Sequence, residues 1–157
     1  MTHNQFIKLF SDFAANHYQI NSFSNGQKEE ITANSTIGTP TVTMWAIVQS
    51  ANIDGNVLKI KYSFLFGDII NKDDSNLDEV LSDTLRIAQD FVATMRLTDY
   101  EASFQIEKQS AFTPFQDERF DNEMGGWEID ITFNSDYTQD TCQVPTSGTP
   151  AITGTSN

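Results

Sequence analysis

The feature that most constrains the fold is a change of hydrophobic period near the middle of the chain. From Val57 to Ile69 apolar and polar residues alternate, which is typical of a β-strand with one buried face. The residues on its apolar face are Leu58, Ile60, Tyr62, Phe64 and Phe66. From about Ser75 to Leu97 apolar residues recur every three or four positions, which predicts an amphipathic helix. The acidic segment Asn71–Leu85 contains the transition, and the helix is expected to lie on the sheet that the strand enters.

A turn signal precedes the long strand. Asn52–Asn56 contains Asp54-Gly55, a pair that tolerates positive φ and permits a tight reversal. The run Thr41–Gln49 before it is β-branched and aromatic, so the two strands are predicted to form a hairpin. Because Val57–Ile69 exceeds the usual strand length, part of the hairpin is expected to project beyond the globular body.

The other predicted elements surround this hairpin–helix unit. They are a first helix over Asn4–Asn16 capped by Thr2 or Asn4, a strand over Tyr18–Phe23, a polar loop over Ser24–Thr39, strands over Ala102–Gln109 and Gly126–Phe133, and an acidic loop over Ser110–Gly125. This order predicts an α+β fold: a mostly antiparallel sheet with a long β-hairpin, packed by two main helices and followed by an extended C-terminal arm.

The length and the loss of periodicity near the end define the domain organisation. A chain of 157 residues fits one domain, which we assign to residues 1–135. Residues 136–157 are rich in Thr, Ser, Gly and Pro and cannot bury enough surface to fold alone. They are either a loose tail or an arm that becomes ordered on a neighbouring subunit.

The charge balance excludes some function classes. Nine Lys and Arg stand against 22 Asp and Glu, a formal net charge of −13. Binding to a nucleic-acid backbone requires clustered cations, and this sequence has no such cluster. A membrane-headgroup binder is disfavoured for the same reason. A surface that DNA passes without binding remains compatible with this composition, because repulsion prevents trapping.

The sequence carries no recognisable catalytic or cofactor motif. Cys142 is the only cysteine, and the two histidines, His3 and His17, both lie near the first predicted helix. Asp73, Asp74, Asp78 and Glu79 resemble a cation site only weakly, because the EF-hand spacing and its glycine are missing. Stabilisation of a helix N-terminus by these carboxylates is the simpler interpretation. We therefore expect no enzyme, metal or cofactor, and no signal-peptide pattern is visible.

The Ser110–Gly125 loop contains apolar side chains that must be hidden from water. Phe112, Phe115, Phe120 and Met124 lie within it. They pack either on their own domain, as in an Ω-loop, or against another subunit, and the sequence leaves both alternatives open.

Three stretches together resemble the tail-completion, tail-terminator-like and neck proteins of tailed bacteriophages, including those of the crAss-like group and related phages of Bacteroidota. The first is the amino-terminal helix with the following His17–Phe23. The second is Phe66-Gly-Asp with Ile69–Leu85. The third is Phe112–Trp127 with the strand after it. They span most of residues 5–133, and the end of the chain beyond Val144 lies outside the resemblance.

The resemblance implies a structural virion protein, made in the host cytoplasm, that joins the portal and neck to the tail. Such a subunit assembles with itself into a six- or twelve-fold ring, contacts other neck, portal and tail proteins, and lets DNA pass without specific binding. The candidate interface residues are Phe112, Phe115, Phe120, Met124, Trp127 and Val144. The candidate acidic lumen residues are Asp68, Asp73, Asp74, Asp78 and Glu79. The alternative is a soluble accessory protein outside the virion that binds a small ligand or a host protein.

Overall fold

A computed structural model describes residues 1–25, 42–71, 73–97, 104–117 and 123–136. Within these residues the chain forms two α-helices and a six-stranded, mostly antiparallel β-sheet, so the α+β prediction is confirmed. The predicted polar loop over Ser24–Thr39 and the C-terminal arm lie largely outside the described residues. Phe120 and Val144 do so entirely.

Helix α1 spans His3–Asn16 and begins with a capping box. The Thr2 side chain accepts a hydrogen bond from the backbone N–H of Gln5, and the Gln5 side chain accepts one from the backbone N–H of Thr2. Thr2 rather than Asn4 is therefore the cap. The buried face carries Phe6, Leu9, Phe10 and Ala14 at the predicted spacing.

Strands β2, Val42–Asp54, and β3, Val57–Ile69, form the predicted hairpin. Gly55 has φ +63° in the two-residue connection, which an L-residue with a Cβ adopts only at a cost. A bulge interrupts the pairing between Val48 and Ser50. All residues of β2 from Val48 onward are exposed. Strand β3 pairs with β6 along its whole length, as far as Val57 with Asp136, so the hairpin does not extend beyond the sheet as its length predicted.

The remaining strands complete the sheet in the order β1-β2-β3-β6-β4, and β5 also pairs with β6. Strand β1 is Ile20–Ser24, β4 is Gln105–Gln109, β5 is Thr113–Asp117 and β6 is Met124–Asp136. Strand β1 pairs with β2 in parallel, and the other pairings are antiparallel. Strand β6 is central, because β3 lies along one edge and β4 and β5 share the other.

The main core lies between the helices and one face of the sheet. Helix α2, Leu77–Leu97, packs beside α1 on β3 and β6. Phe10 is fully buried and meets the rings of Tyr62, Phe64 and Phe91 edge-on at 4.8–5.9 Å between centroids. Such edge-to-face pairs stabilise the packing beyond their area of burial.

A second, smaller apolar cluster lies on the opposite face of the sheet. Trp45, Ile47, Leu65 and Met124 form it, with Phe115 packed against them. This cluster explains Leu65, which interrupts the polar face of β3 in the sequence. Leu65 points away from the helices and is 7% exposed.

The structure corrects the predicted Ser110–Gly125 loop. Thr113–Asp117 forms strand β5, and β6 begins at Met124, before the predicted start at Gly126. Pro114 is tolerated because β5 lies at the edge of the sheet, where one side of the strand has no partner among the described residues. The other predicted elements differ from the observed ones by a few residues at their ends.

Candidate functional site

The acidic lumen candidates gather at one end of the sheet, opposite the β2–β3 turn. Asp68 is near the end of β3, Asp73 and Asp74 lie in the connection to α2, and Asp78 and Glu79 are in the first turn of α2. The last four are exposed. We call these five residues the acidic end. Helix N-termini favour nearby negative charge, so Asp78 and Glu79 also stabilise α2.

Hydrogen bonds within the β3–α2 connection hold the acidic end in place. The Asn76 side chain accepts a bond from the Asn71 N–H at 2.7 Å and donates one to the Ile69 carbonyl at 3.2 Å. Asp73 Oδ1 accepts from the Ser75 N–H at 3.1 Å. Asp74 has φ +58°, a conformation that Asp and Asn tolerate better than other L-residues. These hydrogen bonds therefore fix the conformation of the backbone that carries the carboxylates.

Helix α2 begins close to its predicted start near Ser75. Leu77 is the first helical residue, and the Asn76 carbonyl accepts the first intrahelical bond from the Val80 N–H at 2.9 Å. The Asn76 side chain turns back toward β3 instead of capping α2. The sequence signal identified the start of the helix but not the partners of the polar side chains.

The pKa values of two carboxyls of the acidic end are shifted in opposite directions. Burial raises the pKa of Asp68; the Ile69 N–H opposes that shift, and repulsion from Asp83 adds to it. The Ser75 side chain, followed by the Ser75 backbone N–H, lowers the pKa of Asp73. No group of three or more potential metal ligands occurs among the described residues. The observed geometry is that of a negatively charged surface.

The described interface candidates pack within their own chain. Met124 is 6% exposed and belongs to the smaller apolar cluster with Phe115. Phe112 is half-buried against the main core. The indole N–H of Trp127 donates a hydrogen bond to the Leu81 carbonyl at 2.8 Å. Of the two alternatives left open by the sequence, packing on the same domain describes these four residues in the isolated chain.

The turn of the β2–β3 hairpin lies at the opposite end of the sheet, and the described cations of the hairpin are paired. Lys59 Nζ lies 3.3 Å from a carboxylate oxygen of Asp54 and 2.7 Å from one of Glu107. Hydrogen bonds to Glu107 and then Asp54 raise the pKa of Lys59. Lys61 Nζ is 4.0 Å from Asp130. These pairs neutralise the described cations of the hairpin, so this end of the sheet offers no concentration of positive charge.

A groove of about 340 Å³ lies between the C-terminal halves of the two helices. Leu9, Phe13 and Met95 supply apolar lining, and Asp12 and His17 are among its polar residues. His17 Nδ1 accepts a bond from the Gln19 N–H at 3.2 Å, so the proton of the neutral ring is on Nε2. That nitrogen lies 2.9 Å from a carboxylate oxygen of Asp90 on α2. His17 therefore joins the two helices, a role that its position alone did not indicate.

Comparison with protein-family models and with curated proteins finds no match. The resemblance to phage neck proteins therefore remains a prediction from the residues quoted above. Among the described residues, neither helix combines the length and the apolar character that a membrane span requires.

Proposed function

We propose that this protein is a structural subunit of a ring at the head–tail junction or tail end of a tailed phage. In this role it is a building block and not a catalyst, it joins the portal or neck to the tail, and DNA passes through the ring. The observation that carries the proposal is the separation of two different surfaces, the acidic end and the exposed outer part of β2, at opposite ends of one sheet.

The acidic end supplies the property that a DNA channel needs. Asp73, Asp74, Asp78 and Glu79 are exposed, and their backbone is held by the hydrogen bonds of the β3–α2 connection. Carboxylates arranged around a channel repel phosphates and keep DNA from binding to the wall. We assign these residues, with Asp68, to the lumen.

The exposed outer part of β2 supplies a surface of different character for subunit contact. A closed ring requires heterologous contacts, in which two different faces of the subunit meet. The exposed part of β2, from Val48 to Asp54, contains a single charged residue, Asp54. Because the chain has a net charge of −13, two copies repel each other. A surface with only one charge favours association, since repulsion between two copies is weaker there.

The decisive experiment combines the mass of the purified protein with the composition of phage particles. Native mass spectrometry is expected to show six or twelve subunits, alone or after addition of the portal-side proteins. Quantitative proteomics of intact particles is expected to find the same copy number per particle. A stable monomer under all these conditions, together with absence from particles, would refute the proposal.

The groove between α1 and α2 favours a second candidate function, an accessory protein that binds a small ligand or a host protein. Its volume of about 340 Å³ falls within the range of ligand pockets, and Leu9, Phe13 and Met95 give it apolar walls. Absence from particles, with binding of a small aromatic ligand that a Phe13→Ala substitution abolishes, would favour this function over the ring.

A further inference from the structure

The groove between α1 and α2 has an apolar floor that core packing holds in place. Leu9 on α1 and Met95 on α2 both line the groove, and they are only 7% and 3% exposed. Phe13 lines it as well, and its half-buried ring meets the ring of Phe91 edge-on, with the centroids 5.1 Å apart. The apolar part of the groove therefore consists of side chains that the main core fixes from behind.

Two carboxylates flank this apolar floor, one on each helix. Asp12 lines the groove from α1. Asp90 lies at its edge on α2, because it contacts two residues of the lining: its carboxylate is 2.9 Å from His17 Nε2, and its backbone carbonyl accepts a bond from the Thr94 hydroxyl at 2.8 Å. The described residues that line the groove include no Lys or Arg. The groove therefore combines apolar walls with negative charge.

The partners that these carboxylates have within the chain do not saturate them. Lys8 Nζ lies 2.8 Å from Asp12 Oδ2, and the two side chains are 76% and 52% exposed. Exposed pairs of this kind are weak, so a cation in the groove can share Asp12 with Lys8. A carboxylate has about four acceptor sites, so the single bond with His17 leaves acceptor capacity on Asp90.

We propose that the groove binds a small organic cation that carries one aromatic ring, an arylalkylamine. The ring lies against Leu9, Phe13 and Met95, where it is removed from water and contacts the thioether. The ammonium stays at the rim, where Asp12 and Asp90 attract it and the face of Phe13 adds a cation–π contact. This inference goes beyond the ring and does not depend on assembly. It rests on the second candidate function, for which it names the class of ligand.

Charge and size select this class of ligand. An anion meets two carboxylates on a chain whose net charge is −13, so repulsion opposes its binding. A neutral aromatic compound keeps the apolar contacts but gains nothing from Asp12 and Asp90. The groove volume of about 340 Å³ lies at the lower end of the range for small-molecule pockets. A stable contact with a protein buries about 800 Å² on each partner, so the groove is suited to a free small molecule.

Four probes separate the contribution of the ring from that of the charge. They are 2-phenylethylammonium, the neutral 2-phenylethanol, the anionic 3-phenylpropanoate, and methylammonium, which is a cation without a ring. Binding to the full chain is measured by NMR titration of the methyl signals of Leu9, Thr94 and Met95. A salt concentration of about 0.15 M screens the non-specific attraction of cations to the acidic chain.

Two pairs of variants test the location of the site. Thr94→Phe places a ring in the groove, and Ala93→Phe makes a similar change at the next residue, which is exposed and outside the lining. Asp12→Asn removes a charge from the rim, and Asp136→Asn removes one from an exposed position at the end of β6. Circular dichroism verifies that each variant is folded.

The expected result is a saturable shift of the three methyl signals with 2-phenylethylammonium. Its dissociation constant should be about tenfold or more below that of 2-phenylethanol, because contacts of a charged group are stronger than those of a neutral one. Neither 3-phenylpropanoate nor methylammonium should give a saturable shift. Thr94→Phe should abolish amine binding, and Asp12→Asn should weaken it about threefold while leaving the alcohol unaffected. Ala93→Phe and Asp136→Asn should both bind like the unmodified chain.

The contrary outcomes separate the ligand class from the site. Equal affinity for the amine and the alcohol would overturn the cationic class and leave the groove as an apolar pocket. No saturable shift with either compound, or binding that survives Thr94→Phe, would overturn the site and with it the second candidate function. Neither outcome affects the ring, which subunit mass and particle composition test separately.

Discussion

The indole N–H of Trp127 on β6 donates a hydrogen bond to the backbone carbonyl of Leu81 on α2 at 2.8 Å. This bond links the first part of the central strand to the helix that follows the acidic connection. The Leu81 carbonyl also receives a longer bond from the Thr84 hydroxyl at 3.4 Å. Trp127 therefore holds α2 on the sheet close to the acidic end, and it does so from within its own chain.

Replacement of Trp127 by Phe tests this link. We expect a loss of about 1 kcal/mol in the free energy of unfolding, because the aromatic packing is largely kept and one hydrogen bond is removed. Urea denaturation followed by circular dichroism measures the loss. Tyr18→Phe is the control, since Tyr18 is fully exposed and its substitution is expected to change stability by less than about 0.5 kcal/mol. Equal effects of the two substitutions would show that the Trp127 bond is not stabilising.

Phe10 is the best single probe of the main core. It is fully buried, so Phe10→Ala is expected to cost about 3–5 kcal/mol through lost burial and the resulting cavity. Phe10→Leu should cost less because it leaves a smaller cavity. Tyr18→Ala removes an aromatic ring that touches little and serves as the matched control. Similar denaturation midpoints for Phe10→Ala and Tyr18→Ala would contradict the packing described here.

Gly126 is required for close approach of two strands. It pairs with Gly67, and a methyl group at position 126 would overlap the Phe66 carbonyl and lie 2.8 Å from the Gly67 Cα. Because backbone atoms must shift, Gly126→Ala is expected to cost about 3 kcal/mol or more, measured by thermal or urea denaturation. The control is Gly55→Asn, which has open space around it and a positive φ that Asn tolerates. We expect its cost to be much smaller.

Asp68 and Asp73 should affect the pH dependence of stability in opposite directions. The raised pKa of Asp68 means that the folded state binds more protons than the unfolded state. The contribution of Asp68 to the free energy of unfolding therefore falls as pH rises from about 3.9 through the raised pKa. Asp68→Asn should therefore increase the free energy of unfolding more at neutral pH than at acidic pH. The lowered pKa of Asp73 means that its carboxylate stabilises the folded state above about pH 3.9. This stabilisation is lost as pH falls through the lowered pKa.

Asp73→Asn should accordingly destabilise the protein at neutral pH and have less effect in acid. Urea midpoints of both variants and the unmodified chain, measured across the acidic to neutral range, provide the test. Both substitutions keep an oxygen that can accept the local backbone hydrogen bond, so each isolates the charge. Parallel pH profiles for the two variants would contradict the assigned environments.

Neutralising the acidic end tests its assignment to a DNA channel. In the assembled protein, the combination Asp73→Asn, Asp74→Asn, Asp78→Asn and Glu79→Gln is expected to increase retention of double-stranded DNA at low salt, because repulsion is reduced. Fluorescence anisotropy with labelled DNA measures this. The control neutralises four carboxylates elsewhere in the same way: Asp12, Asp90, Glu107 and Asp136. Equal retention by both variants would show that only net charge matters and that the acidic end does not line the channel.

Much of the fold was predictable because its signals are local. The alternation in Val57–Ile69 and the apolar stripe of Leu77–Leu97 persist over many residues, so small irregularities do not obscure them. Strand β5 was not predicted because its five residues, which include Pro114, show no clear alternation of apolar and polar side chains. A short edge strand depends on its neighbour for its structure, and its own sequence is a weak guide.

The candidate site was predictable only in part. The acidic composition of Asp68–Glu79 is visible in the sequence, as is its place before a helix. Its arrangement is not, because Asn76 bonds to Asn71 and Ile69 instead of capping α2. Polar side chains near a helix start have several competing partners, and the backbone geometry of the connection selects among them.

The sequence by itself determined the two helices, the long hairpin and the concentration of negative charge, because period, turn chemistry and charge act over a few neighbouring residues. Only the tertiary structure decided that β1 pairs in parallel with β2, that β6 occupies the centre of the sheet, and that Phe115 and Met124 pack on Leu65. Strand order and the pairing of distant side chains depend on which arrangement buries the most apolar surface for the whole chain. That total cannot be read from any single segment.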